Sequence, residues 1–320
     1  VGQSGEAALA LSQFDVEQVK TFIPQTTQLQ GQADANVWAK WGDNQPPQVK
    51  AKIELAKGEV VQKLEQPLEL GWENAILTAQ LADNKLSAEW LLDVADNGDI
   101  SGNATILDVL SDDKQIDGRL KLTTFNLDFL APLVGEFSKL KSNITTDLAI
   151  TGPAMQPKVN GQFVVDDILL KGDISPVEVN SGRLTINFTG YDATLAAAIH
   201  TPDGKLELAG DADWHDLQDW STNVRVFAEE LLVNVPPMVK IKVQPDMTIA
   251  VAPKSARIDG TIALPWGRVV VEELPPSAIG VSKDQVILND KLQPVDDKSK
   301  VPFACTIYTH TACDATTEHT

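Results

Sequence analysis

Cysteine is nearly absent: Cys305 and Cys313 both fall in the last sixteen residues, so the body of the chain has no disulfide framework. Cysteine usage therefore leaves the compartment open. The pair could form a disulfide or be plain tail residues, and the second is favoured. The four histidines, His200, His215, His310 and His319, share no metal-ligand spacing, which argues against a zinc site. Basic residues are scarce, 26 against 45 acidic, and the net charge of −19 excludes the cationic stripe that nucleic acid requires. It also opposes docking on anionic headgroups. No run of about 18 apolar residues offers a spanning helix. Val1 opens the chain without a signal-peptide pattern, as in a mature form or an excised piece.

Catalytic signatures are missing too. There is no nucleophile elbow, no phosphate-cradling glycine loop and no dinucleotide fingerprint. The doublets Asp112-Asp113, Asp166-Asp167 and Glu272-Glu273 would point to opposite faces of a strand, so they make poor acid/base pairs. The expectation is a protein that is not an enzyme, with no cofactor and no metal. Aromatics are only 6%, so whatever core exists is aliphatic, and the seven tryptophans are scattered core or rim residues.

What the chain does have is one strand type, reused. In Val159-Asn-Gly-Gln-Phe-Val-Val165, the residues Val159, Gly161, Phe163 and Val165 share a face, with Asn160 and Gln162 opposite. The same phrase recurs at Ile100-Ser-Gly102, Ile116-Asp-Gly118-Arg-Leu120-Lys-Leu122, Leu208-Ala-Gly210 and Ile258-Asp-Gly260-Thr-Ile262-Ala-Leu264. Short alternating runs separated by turn residues predict an all-β, mostly antiparallel architecture. Prolines crowd the last third, and Pro265 marks an edge, a bulge or a bend.

The pattern is also duplicated. Leu11–Val37 reads like Leu122–Leu148 at an offset of 111 residues: Phe14 matches Phe125, Val16 matches Leu127 and Leu29 matches Leu140. Each block is read as several strands and one helix. Leu127, Leu130, Leu133, Val134, Phe137 and Leu140 suit an amphipathic helix that Asn126 could cap, and Asp15–Ile23 is its counterpart. The expected organisation is a first block over 1–115, a second over 116–230, C-terminal strands over 231–294, and a linker and tail over 295–320 without structure.

Strands with one apolar face must cover it. Composition puts a second sheet first, giving a sandwich. The rival is a curled sheet whose concave apolar groove stays open. Such a groove would hold lipid, since an acyl chain of about 15 methylenes gains on the order of 12 kcal/mol on leaving water.

Longer strings carry a resemblance. Val233-Asn-Val-Pro-Pro-Met238-Val, Ile258-Asp-Gly-Thr-Ile-Ala-Leu-Pro265-Trp266-Gly-Arg268-Val-Val-Val, Leu274-Pro-Pro-Ser-Ala-Ile-Gly-Val281 and Leu288-Asn-Asp290-Lys-Leu-Gln-Pro294 resemble the TamB family. The upstream blocks, with the run at 152–161, resemble the wider AsmA-like repeat proteins. The likeness covers residues 1 to about 300. It implies a long, curled, mostly antiparallel sheet, a β-taco or open tube, with one or two short helices, and so favours the open groove over the sandwich. It implies a periplasmic segment of a protein anchored in the inner membrane of a Gram-negative envelope. The implied partners are the outer-membrane barrel protein TamA, phospholipid moving between the membranes, and nascent outer-membrane β-barrels and autotransporters.

Alternation nominates the groove lining. In the second block the candidates are Leu120, Leu122, Phe163, Val165, Leu184, Ile186, Phe188, Leu195, Ile199, Leu206, Leu208, Val224 and Val226. In the C-terminal third, Val239, Ile241, Val243, Met247, Ile249, Val251, Ile262, Leu264, Val269 and Val271 join them.

Overall fold

A computed structural model describes residues 4–42, 45–64, 66–134, 139–172, 175, 177–235, 239–271, 303–307 and 312–314. The first half holds β1 (Gly5–Asp15), β2 (Thr27–Gln30), β3 (Gln32–Gly42), β4 (Gln45–Leu55), β5 (Gly58–Gln62), β6 (Leu68–Ala82), β7 (Lys85–Val94), β8 (Gly98–Leu107) and β9 (Gln115–Asn126). After these come β10 (Lys139–Pro153), β11 (Lys158–Lys171), β12 (Ser181–Gly190), β13 (Asp192–His200), β14 (Lys205–Asp213) and β15 (Ser221–Ala228). The last strands are β16 (Leu231–Val235), β17 (Val239–Ala252), β18 (Ser255–Val271), β19 (Phe303–Ile307) and β20 (Ala312–Asp314). Two 3-10 helices, η1 (Val16–Thr21) and η2 (Asp128–Val134), interrupt them.

All twenty strands belong to one antiparallel sheet, which is not closed into a barrel. The main ladder is a meander: β1 pairs with β3, then β4, β6 through β15, β17 and β18 follow one another. β2, β5 and β16 continue β3, β4 and β15 past short breaks. At about 4.8 Å per strand this ladder runs roughly 70 Å. The sheet is a long ribbon, and the sandwich expectation gives way to it.

The duplication is visible at the level of single hydrogen bonds. Gln13 and Thr124 both take positive φ, +52° and +49°, in bulged ends of β1 and β9. Asp15 and Asn126 then each accept the N–H two residues on, from Glu17 at 2.9 Å and Asp128 at 2.7 Å. The next residue closes the unit: Val16 N–H donates to the Gly31 carbonyl and Leu127 N–H to that of Ser142, at 3.1 and 2.9 Å. Every position corresponds at the same offset of 111 residues.

The predicted helix over 127–140 is corrected. It is a 3-10 segment of seven residues containing Pro132, and Leu140 lies in β10, paired with Leu170. Proline has no N–H to continue a helix, and the ladder takes the backbone of Leu140 instead. Phe137 lies outside the described residues. Within 295–320, read as unstructured, β19 and β20 pair with β18. An edge strand offers backbone donors and acceptors to any extended partner, repeat signature or not. Cys305 pairs opposite Val269 and Cys313 opposite Ile262.

Candidate functional site

Paired residues of an antiparallel ladder point to the same face, so the register fixes what each face carries. One row of direct partners crosses the ladder from β1 to β18. It reads Leu11, Ala35, Ile53, Leu77, Trp90, Gly102, Leu120, Leu148, Gly161, Phe188, Ala193, Ala212, Thr222, Val251, Ala256. Its only polar member is Thr222. The row beside it runs from Phe14 through Ala33, Leu55, Ala75, Leu92, Ile100, Leu122, Thr146, Phe163, Ile186, Leu195, Gly210, Val224 and Ile249 to Ile258. Here Thr146 is the exception, and its hydroxyl is spent in a 2.8 Å bond to the Gln162 carbonyl.

The opposite face is polar. Its matching row reads Ala10, Asn36, Lys52, Thr78, Glu89, Asn103, Arg119, Ala149, Asn160, Thr189, Asp192, Asp213, Ser221.

The register places most of the nominated lining on the apolar face. Leu120, Phe188 and Val251 sit in the first row; Leu122, Phe163, Ile186, Leu195, Val224 and Ile249 sit in the second. Val165, Leu184, Leu208, Val226 and Met247 form a third with Ala197, and Ile199 pairs with Leu206. Val239, Ile241 and Val243 continue the odd-numbered face of β17, opposite Val235, Val233 and Leu231, with Val269 and Ile262 across on β18. Leu264 falls in the β18 bulge, where alternation breaks, and is 37% exposed. Val271 ends β18, and its side chain lies outside the described set. The nominated list omitted the first block, although Leu77, Trp90, Ile100 and their neighbours alternate as plainly as the second.

The face is shielded but not sealed. Leu184, Ile186 and Phe188 are half-buried. Leu9, Leu77 and Ile258, all on this face, remain 54%, 39% and 42% exposed. Among the described residues, Val94 is the only large side chain fully closed off from solvent. It sits near a place where something crosses the face: η2 packs on both β6 and β10, elements separated by three strands of the ladder. Trp72, Val94 and Phe125 are buried there, with Phe129 of η2 edge-on to Phe125 at 6.3 Å.

Two discrete hollows open on the polar side. One of about 460 Å³ is lined by Thr78, Glu89, Asn103, Arg119 and Lys121. Another of about 480 Å³ lies beside Trp38, Lys50 and Lys52. Arg119 forms a forked pair with Asp147 at 2.6 and 2.5 Å, and this bond holds the Asp147 carboxyl below the usual carboxylate range. Trp214, His215 and Asp216 follow the end of β14. His215 folds back onto Asp213 at 2.8 Å, and its backbone N–H and then its ring keep the Asp213 carboxyl low. With Asp192 they are the one cluster of metal-ligand type among the described residues, and all three are solvent-exposed.

Residues 1–165 match the family model described as TamB, N-terminal domain, and residues 194–311 match that of the TamB C-terminal domain. The chain belongs to the TamB family. Among curated relatives, the translocation and assembly module subunit TamB of Haemophilus influenzae is 27% identical over 304 residues, 95% of this chain and 23% of that protein. The chain therefore spans about a quarter of that relative's length. No solved structure matches it. Within the described residues of this TamB-family chain, no helix is long and apolar enough to cross a membrane.

Proposed function

We propose that the chain is a non-enzymatic, periplasmic stretch of an envelope-spanning bridge, whose apolar face conducts phospholipid acyl chains between inner and outer membranes. One observation carries this reading: two rows of paired residues cross the whole ladder with a single hydroxyl each, and solvent still reaches the face they make. Apolar surface left open on this scale marks an interaction site. Acyl chains gain roughly 0.8 kcal/mol per methylene laid on it, while headgroups stay in water. Movement along the ribbon needs no chemical step. In this reading an outer-membrane barrel protein, TamA, receives the distal end, and the anchor lies elsewhere in the longer protein.

Native mass spectrometry of the purified chain tests it. Phospholipid should co-purify, and leave when apolar-face positions carry charge. A chain that stays empty in the presence of phospholipid vesicles refutes the conduit.

A second reading is favoured by the edge of β1. Among the described residues this strand pairs only with β3, and Ala8 and Ala10 place apolar side chains on its polar face between Glu6 and Ser12. Such an edge accepts another strand, as a scaffold for nascent outer-membrane β-barrels would. Photo-cross-links from β1 to an unfolded barrel substrate would support it, and cross-links confined to lipid would not.

A further inference from the structure

Three tryptophans stand directly opposite glycines: Trp41 against Gly5, Trp72 against Gly58 and Trp90 against Gly102. In each pair the indole fills the space that a glycine side chain would need. A Cβ on Gly5 would lie 2.8 Å from Trp41 Cζ2, one on Gly58 would lie 2.5 Å from the same atom of Trp72, and one on Gly102 would meet Trp90 Cζ2. The rings therefore lie across the neighbouring strand rather than upright on their own, the aromatic covering of a sheet glycine. Trp72 is tied down further by its Nε1–H, which donates to the Ala56 carbonyl at 2.8 Å, and it is buried near η2. Trp41 and Trp90 are half-buried on the open part of the face.

We propose that Trp41 and Trp90 are specificity-determining positions: seated on Gly5 and Gly102, they set the clearance through which an acyl chain passes. This rests on the conduit reading above and adds to it which residues decide what fits. An upright indole projects by the length of its ring, and a recumbent one by its thickness. The glycines thus let the widest side chains of the face form floor rather than obstruction. The flat rings also offer acyl chains broad, polarisable contact with little conformational entropy to lose.

Gly5 gives the cleanest test, because the three heavy atoms nearest the added Cβ all belong to the Trp41 ring, whereas at Gly58 and Gly102 a backbone carbonyl oxygen stands as close as the indole. The purified chain carries 5-fluorotryptophan and is exposed to vesicles of brominated phosphatidylcholine. Bound lipid is counted by native mass spectrometry, and the Trp41 ring is followed by ¹⁹F NMR. Gly5→Val should shift the Trp41 signal and lose most of the bound lipid. Adding Trp41→Leu in the same chain should restore the lipid. Trp38→Phe, on the polar face, should change nothing. A shifted ring with an unchanged lipid load overturns the proposal, as does failure of the double variant to restore it. A wild-type chain that takes up no lipid overturns the conduit and this proposal together, so the two failures are told apart. Should Gly5→Val not fold, Trp90→Leu carries the test: with that floor and its contacts removed the lipid load must fall, and an unchanged or raised load is a refutation.

Discussion

Glycine does two different jobs in this sheet. At Gly5 it makes room for an indole, at Gly58 and Gly102 for an indole and a backbone carbonyl together, whereas at Gly161 it makes room for backbone. Gly161 has φ +131°, and an added Cβ would run into the Asp147 carbonyl oxygen of β10. Gly161→Ala should cost about 1–3 kcal/mol, read as a fall in thermal midpoint by circular dichroism without loss of strand signal at low temperature. Charge at single residues is simpler. The Asp213 carboxyl is depressed in the folded chain by His215. A depressed carboxylate contributes stability above its unfolded pKa and loses it as pH falls through the folded value. The Asp213–His215 turn should thus stay intact at neutral pH and release only below the ordinary carboxylate range. An NMR titration of the Asp213 carboxyl carbon should show this, and Asp213→Asn should remove the acid-side step.

At the scale of elements, strands were legible and most of their interruptions were not, the bulge marked by Pro265 being the exception. Alternation such as Leu206-Glu-Leu208 needs no partner to be read, because side-chain direction in a strand is fixed by parity alone. A bulge breaks parity through one residue in a left-handed conformation. Thr124, a β-branched residue, gives no warning of its +49° φ. The 3-10 form of η2 escaped for a related reason: three- and four-residue spacing is shared by α and 3-10 turns. The tryptophan seats were hidden as well, since each depends on register. This contrast between open and crossed segments gives a prediction. Ile241→Asp lies on uncovered sheet where water can reach the charge, so it should empty the face of lipid with little loss of stability. Val94→Asp, on a strand near η2, should unfold its neighbourhood at a cost of several kcal/mol, because the charge has no solvent. Urea melts paired with lipid counts separate the two; equal destabilisation would mean that the face is a closed core.

For the whole molecule, the meander restricts every strand to partners adjacent along the ladder. Stability then approximates a sum of nearest-neighbour terms, as in repeat proteins. Denaturant unfolding should be broad, with an apparent m-value below that of a compact protein of this length. Hydrogen exchange should show protection rising from the edge strand β1 toward the interior strands β8–β13. A single sharp transition with uniform protection would contradict the ribbon. The family and the one-sided sheet were both readable from residues, the first through long strings near the C-terminal strands and the second through parity. The extent of the uncovered face was not, because only the pairing shows that the rows run unbroken from the first block into the last.

Adjacency along the ladder also governs how such a sheet comes into being. Each new strand finds its mate in the one made just before it, so the chain can zip up in the order of synthesis without waiting for distant sequence. Every unfinished stage ends in a fresh edge of bare amides and carbonyls, and the growing ribbon is most vulnerable to the wrong neighbour at its newest strand.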